Sequence, residues 1–271
     1  MAGLGSLGAR HHKVVRLRRL IARRSVREAE RAFVVEGATL VADALDAGVA
    51  LEAVFVAEGA PDLPVVRRAE ADGHRVHRLA PGVLERVAGT VTPQPVLAVA
   101  RAGDVVLDQV RTARLVVVCV DVRDPGNAGS ILRSAEAAGA GAVVFCTGSV
   151  DVFNPKTVRA SAGSLFHVPV VSGGDPLAVL ERVGDWGFHR LATVARSGRP
   201  YDEVDYAVPV AVVLGNEAHG LPAGLDAHLD QRVTIPMAGR VESLNVGMAA
   251  ALICFEALRQ RRSHPNRPTE P

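Results

Sequence analysis

Between residues 12 and 31 the apolar positions Val14, Val15, Leu17, Leu20 and Ile21 recur at helical spacing among arginines, which predicts a basic amphipathic helix. The period then changes. Short apolar runs at 33–35, 53–56, 75–79 and 96–100 predict strands, and amphipathic stretches at 38–47, 64–71 and 81–87 predict the intervening helices of a small α/β unit over 32–103. Residues 90–95, Thr-Val-Thr-Pro-Gln-Pro, form a turn-rich approach to the last of these strands. Apolar periodicity lapses over 104–114, the expected linker, and a continuous β-branched run at 115–122 then predicts a strand buried on both faces. After it the pattern predicts helix 130–138, strand 142–146, helix 155–162, strand 168–171 and helix 176–183. Strands 189–195, 210–214 and 232–235 and a long helix 244–261 complete a second domain over 115–262, with a tail over 263–271. Alternating strands and helices require crossover connections and hence a mostly parallel sheet, whose ligands bind beyond the carboxyl ends of the strands. The loops after Val122, Leu214 and Ile235 are therefore where chemistry is expected.

Composition narrows the class. A chain of 271 residues, 48% hydrophobic, can bury one large core or two modest ones and excludes a disordered tail or a staple-dependent mini-protein. No apolar run reaches 18 residues, so no membrane-spanning helix is expected, and the arginine-rich start has no apolar segment behind it, which points to the cytoplasm. Cys119, Cys146 and Cys254 stand singly in apolar stretches and read as core residues without disulfide or zinc spacing.

The formal net charge of +2 conceals an uneven distribution. Residues 1–31 carry nine basic residues against two acids, 32–100 five against nine, 101–258 thirteen against seventeen, and 259–271 four against one. Basic ends on acidic bodies fit a polyanionic partner, nucleic acid being the commonest, with a solvated helix face and a polar tail as the alternative.

In Asp121-Val-Arg-Asp-Pro-Gly-Asn-Ala-Gly-Ser-Ile-Leu-Arg133, Gly126 and Gly129 permit close backbone approach, Ser130 is placed to cap the next helix, and Asn127 and Arg133 offer directional polar groups. It is not a phosphate-binding P-loop, because no Gly-Lys-Ser/Thr follows, and the one literal Gly-x-Gly-x-x-Gly, at residues 3–8, follows no strand. In Gly215-Asn-Glu-Ala-His-Gly-Leu-Pro222 the polar residues are Asn216, Glu217 and His219, and no metal site is expected for want of a second ligand near His219. In Ile235-Pro-Met-Ala-Gly-Arg-Val-Glu-Ser-Leu-Asn-Val-Gly-Met248, Ser243 reads as the cap of the last helix, with Asn245 inside its first turn. Each loop alone has a plain structural reading.

Together, in order and each after a strand, Asn127-Ala-Gly-Ser-Ile-Leu-Arg133, Leu214-Gly-Asn-Glu-Ala-His-Gly-Leu221 and Ile235-Pro-Met with Ser243-Leu-Asn-Val246 resemble the motifs of the SpoU, or TrmH, family of RNA ribose methyltransferases. Residues 151–163 are similar to that family's segment between its first two motifs, and Phe33-Val-Val-Glu-Gly37 with Leu51-Glu-Ala-Val-Phe-Val56 to the accessory RNA-binding domain related to ribosomal protein L30e. The resemblance implies a trefoil-knotted, SPOUT-type α/β domain behind a smaller L30e-like α/β domain, a homodimer with a shared site, and S-adenosyl-L-methionine as methyl donor. It implies further that Leu214, Gly215, Asn216, Ile235, Met237 and Leu244 clasp the cofactor, and that Arg133 lies nearest the reacting hydroxyl, with Asn127, Glu217, Ser243 and Asn245 ordering the site. Arg159 becomes a further phosphate contact, and Arg16, Arg18, Arg19, Arg23, Arg24 and Arg27 become RNA-binding. Gly247 stands where the family usually has Ser or Ala, a departure expected to loosen the helix start. The implied target is 23S ribosomal RNA, with transfer RNA second; a non-catalytic RNA-binding or assembly factor of the same fold is the alternative class, and neither membrane nor metal is an expected partner.

Overall fold

The computed structural model describes residues 5–88 and 93–263 and divides into two compact units. The first takes the described residues up to Gly103 together with Phe153–Phe166, and the second takes Asp104–Val152 and the described residues from His167 onward. Part of the turn-rich 90–95 segment, the start of the 3–8 glycine pattern and the tail beyond Ser263 lie outside the described residues.

In the first unit the basic segment is two helices, α1 (His12–Ala22) and α2 (Arg24–Glu30), because Arg23 between them is extended. They are followed by β1 (Ala32–Glu36), α3 (Ala38–Asp46), β2 (Leu51–Ala57), α4 (Pro64–Ala71), β3 (Val76–Leu79), α5 (Val83–Val87) and β4 (Val96–Arg101). The sheet order is β1-β4-β2-β3; β4 runs antiparallel to both neighbours and β3 parallel to β2. The expected separate arm is instead part of this unit: Val14, Leu17 and Leu20 on one face of α1 pack with Val34, Phe55, Leu79 and Leu97. An apolar stripe at that spacing cannot stay in water when a sheet face is available to cover it.

Burial also reassigns some of the arginines. Arg27 is buried and donates to the carbonyls of Leu20 and Ile21 at 2.6 and 3.1 Å, closing the end of α1, where helical carbonyls lack partners. Arg16 is held by Glu30 at 2.5 Å and Glu52 at 2.7 Å, and Arg24 pairs with Glu28. Arg18, Arg19 and Arg23 face solvent.

The second unit contains β5 (Leu115–Cys119), α6 (Pro125–Ala137) and β6 (Ala142–Phe145); α7 (Pro155–Ala160), next in the chain, belongs to the first unit. The second unit continues with β7 (Val170–Ser172), α8 (Pro176–Asp185), β8 (His189–Thr193), β9 (Arg199–Pro200), β10 (Val210–Leu214), β11 (Gln231–Thr234) and α9 (Val246–Ser263). Its seven strands run in the order β7-β6-β5-β10-β8-β11-β9, every neighbouring pair parallel. The two-residue β9, absent from the predicted elements, is an edge strand ending in proline, which has no N–H to offer a further ladder. From β5 the chain winds outward through β6 to β7, then returns to lay β8 and β10 on the other side, so the order reverses between β5 and β10. A crevice beyond the carboxyl ends of the strands is expected at such a point. All three cysteines are buried, and burial pushes the Cys146 and Cys254 thiols up to about 12, as befits unreactive core residues.

Candidate active site

Helix α6 starts earlier than its sequence pattern indicated. Asp124, just before Pro125, accepts from the Asn127 amide at 2.8 Å and caps the helix, a role expected of Ser130; proline at the first helical position fixes the start there. Asn127 consequently sits in the first turn, buried among its neighbours. The last helix starts later than expected: Asn245, not Ser243, precedes α9, its Oδ1 accepting from the amides of Gly247 at 2.9 Å and Met248 at 3.4 Å.

These two helix starts are joined through side chains. Asn245 Nδ2 donates to Asn127 Oδ1 at 2.7 Å, and Asn127 Nδ2 donates to Glu217 Oε1 at 2.8 Å. Glu217 also accepts from the amides of Asp124 and Arg123 at 3.3 and 3.4 Å. Burial alone would raise the Glu217 carboxyl; the hydrogen bonds from Asn127 and from the backbone amides outweigh it and hold it below the usual carboxylate range. The orientation of both amides follows: a carboxylate only accepts, so Asn127 must turn its NH2 to Glu217 and its oxygen to Asn245.

A second lock lies alongside. Asn216 Nδ2 donates to the carbonyl and carboxylate of Asp121 at 3.0 and 3.1 Å, while its oxygen accepts from the amides of Ala218 and His219 at 2.9 and 3.1 Å. Asp121 adopts the left-handed conformation, φ 55°, a cost that a residue bears where its surroundings fix it. Gly215 is required by close approach: a Cβ there would lie 2.5 Å from the Gly220 carbonyl carbon, because the loop doubles back through paired hydrogen bonds between Asn216 and Gly220.

Beyond these strand ends lies a cavity of about 600 Å³. The expected cofactor residues Gly215, Asn216, Ile235, Met237 and Leu244 line it, as do Glu217, Ser243 and Asn245; Leu214, the last residue of β10, is fully buried behind it. Asn127 reaches it through the hydrogen-bonded chain. Arg133 lies six residues further along α6, exposed and outside the lining. Arg159 is brought to the first unit, where it donates to the buried Glu36 at 2.8 Å.

The sequence reading missed part of the wall. Thr193, Val194 and Ala195 at the end of β8 line the cavity, as do Asp226 and Arg232, which pair at 2.9 Å. A strand running into Arg196-Ser-Gly198 at the same sheet edge carries the signature of the other three loops and was the available signal. Asp121 and Asp124, both in the first loop, are further site residues, and an aspartate before proline is the cap signature that marks Asp124 in the sequence.

Gly247 has a packing reason. A Cβ there would stand 2.9 Å from Ser130 Cβ and 3.2 Å from Asn245 Oδ1, so glycine lets α9 close onto α6 rather than loosening its start. Gly247→Ala gains about 1 kcal/mol of helix propensity and loses about 1–3 kcal/mol to overpacking. A lower melting temperature and weaker cofactor binding are expected, measurable by thermal melts and calorimetry; a higher melting temperature would refute the close-approach account.

Fold and site together define a parallel α/β domain with a nucleotide-sized crevice at its strand ends, accompanied by a separate small α/β unit. Residues 114–255 match the SpoU rRNA Methylase family, and residues 11–98 match the MRM3-like substrate binding domain. The chain therefore belongs to the SpoU rRNA methylase family. It is 34% identical to the 23S rRNA (guanosine(2553)-2'-O)-methyltransferase RlmP of Bacillus subtilis, over 82% of this chain and 87% of that protein. It is 32% identical to the 23S rRNA (guanosine-2'-O-)-methyltransferase RlmB of Ralstonia nicotianae, over 74% and 80% of the two chains. Among solved structures, the SpoU methyltransferase AviRb of Streptomyces viridochromogenes in complex with the cofactor AdoMet superposes with a TM-score of 0.85 at 29% identity, covering 94% of this chain and 99% of that one.

Proposed function

We propose that this chain transfers a methyl group from S-adenosyl-L-methionine to a ribose 2'-hydroxyl of 23S ribosomal RNA. The observation that carries this reading is the 600 Å³ cavity joined to the Asn245–Asn127–Glu217 chain. The residues present fit the cofactor: the size suits a nucleoside-containing ligand, and the wall combines apolar Ile235, Met237 and Leu244 with backbone polar groups at Gly215. When bound, the cofactor supplies a methyl group on an electrophilic sulfonium. The protein's part is then to bind, to exclude water and to place the hydroxyl. Asn127, Glu217 and Asn245 hold the two loops and helix starts in one arrangement, and Ser243, on the cavity wall, orders the substrate beside them. Arg133, permanently cationic, orients the hydroxyl and its flanking phosphate rather than removing a proton.

The finer parts of the reading extend from this. The C-terminal segment leading into α9 is threaded as a trefoil knot, a reading supported by the match to the SpoU family. The first unit is an L30e-like RNA-binding domain, and Arg18, Arg19 and Arg23 are its solvent-facing arginines for phosphate. The enzyme acts as a homodimer: Met248, Leu252 and Phe255 lie 61, 40 and 49% exposed at helical spacing on α9, an apolar stripe that a second copy would cover. Its setting is the cytoplasm, with the ribosomal RNA.

The test is transfer of labelled methyl from S-adenosyl-L-methionine to ribosomal and to transfer RNA, followed by mapping of the alkali-resistant 2'-O-methyl linkage. Incorporation into 23S RNA is expected. Incorporation into transfer RNA alone would overturn the substrate, and incorporation into neither would overturn the activity.

A further inference from the structure

The first unit has a cavity of its own, about 310 Å³, between α1 and one face of the sheet. Period-two spacing brings Ala53 and Phe55 of β2, His77 of β3 with Arg75 just before it, and Val99 and Arg101 of β4 onto that face, opposite Lys13, Arg16 and Leu17 of α1. Its charge is asymmetric. At one end Glu52 holds both Arg16 and Arg101, each at 2.7 Å. At the other end no acid among the described residues lines the cavity: Lys13 Nζ lies 2.9 Å from His77 Nε2, and Arg75 is exposed beside them.

An ammonium only donates, so His77 accepts from Lys13 through a neutral ring. The elements around that ring present Lys13 and Arg16 from α1, His11 just ahead of it, Arg75 from β3, Arg101 from β4, and Glu52 as the one carboxylate lining the cavity. Burial, reinforced by Lys13, His11 and Arg75, lowers the pKa of His77. The ring is backed by Phe55, centroids 5.4 Å apart.

We infer that this groove seats one unstacked nucleotide of the RNA strand, its phosphate among Lys13, Arg75 and His77 and its base against the Phe55-backed His77 ring. The inference rests on the RNA reading above and specifies where and how the strand is held. Cations without counterions in a concave site make an anion site, and the ring makes it a nucleotide site. The volume admits one nucleotide, whereas a duplex is convex and would contact only the rim.

Proton linkage follows. A phosphate beside His77 favours the imidazolium, so binding takes up a proton and tightens as pH falls through the histidine range. The experiment is fluorescence anisotropy of a labelled single-stranded uridine octamer on the intact chain, with saturating S-adenosylhomocysteine occupying the other cavity. Wild type should bind several-fold more tightly at about pH 6 than at about pH 8. Lys13→Gln with Arg75→Gln should weaken binding by about tenfold and reduce the slope of log affinity on log salt by about 1.4, the single-strand value for two contacts. His77→Gln should abolish the pH dependence, and all three positions lie outside the packed core, so melts should match wild type. Equal affinity of wild type and the double variant, or a pH dependence retained in His77→Gln, overturns the inference. Methyl transfer to ribosomal RNA is measured in parallel. Transfer that persists while the charge and pH effects on binding are absent overturns the groove and leaves the activity standing. Binding with those effects but without transfer overturns the activity and leaves the groove.

Discussion

Arg133→Ala should lower the turnover of methyl transfer by about a hundredfold or more, the scale on which misplacing a reacting group acts, while calorimetric affinity for S-adenosyl-L-methionine stays within a few-fold. The two readouts separate because Arg133 lies outside the cavity wall and its side chain makes no hydrogen bond among the described residues, whereas Glu217, Ser243 and Asn245 line the cavity. An exposed helical side chain of this kind also contributes little to stability, so the melting temperature should move by the equivalent of less than about 0.5 kcal/mol. Arg133→Lys sharpens the experiment: it keeps the charge and loses the planar fork that engages a hydroxyl and a phosphate together. Partial recovery of RNA affinity without recovery of turnover is the expected result. Loss of cofactor affinity in Arg133→Ala would mean that the residue shapes the cavity, and the positioning role would fall.

The periodicity of the chain carried most of the fold because strands buried on both faces leave continuous β-branched runs, as at 115–119 and 210–214, and amphipathic helices leave stripes. Helix starts were less legible. Ser130 and Ser243 are good caps by residue type, yet Asp124 and Asn245 take the roles, since which side chain caps depends on where the chain leaves the strand. Long-range placement was not legible at all. Arg27 reads as a surface charge until its partners at the end of α1 are known, and Arg159 until Glu36, 123 residues earlier, is seen beside it. The residues proposed to hold the cofactor came from resemblance because backbone-lined pockets leave little chemical signature in side chains; what the structure added is the wall contributed by β8, and the hydrogen-bonded chain that joins two asparagines and a glutamate.

That chain makes Glu217 the position where a change of one atom should be felt farthest. Glu217→Gln replaces one acceptor oxygen by a donor NH2, so one of Asn127 Nδ2 and the Asp124 and Arg123 amides must lose its partner or the glutamine must turn away. Asn127 and Asp124 share Oε1 while Arg123 takes Oε2, so the new NH2 either opposes the Arg123 amide, donor against donor, and loosens the loop, or takes the Oε1 place and frees Asn127, and through it the Asn245 cap of α9. Hydrogen bonds to a charged acceptor are worth about 1.5–3 kcal/mol when shielded; Glu217 is open to solvent on one side, and screening reduces its share of global stability to about 1 kcal/mol. The effect on cofactor affinity is larger, about ten- to a hundredfold, because both loops that Glu217 ties together line or support the cavity. The pH dependence has a definite sign. The folded carboxyl titrates below its ordinary value of 4.5, so its stabilisation is complete above that value and is lost as pH falls through the lower, folded one. Thermal melts of wild type and Glu217→Gln should therefore differ by a constant amount from neutral pH down to about pH 5 and converge below it. A gap that persists undiminished in acid would show that the carboxylate's charge is not what holds the two loops together.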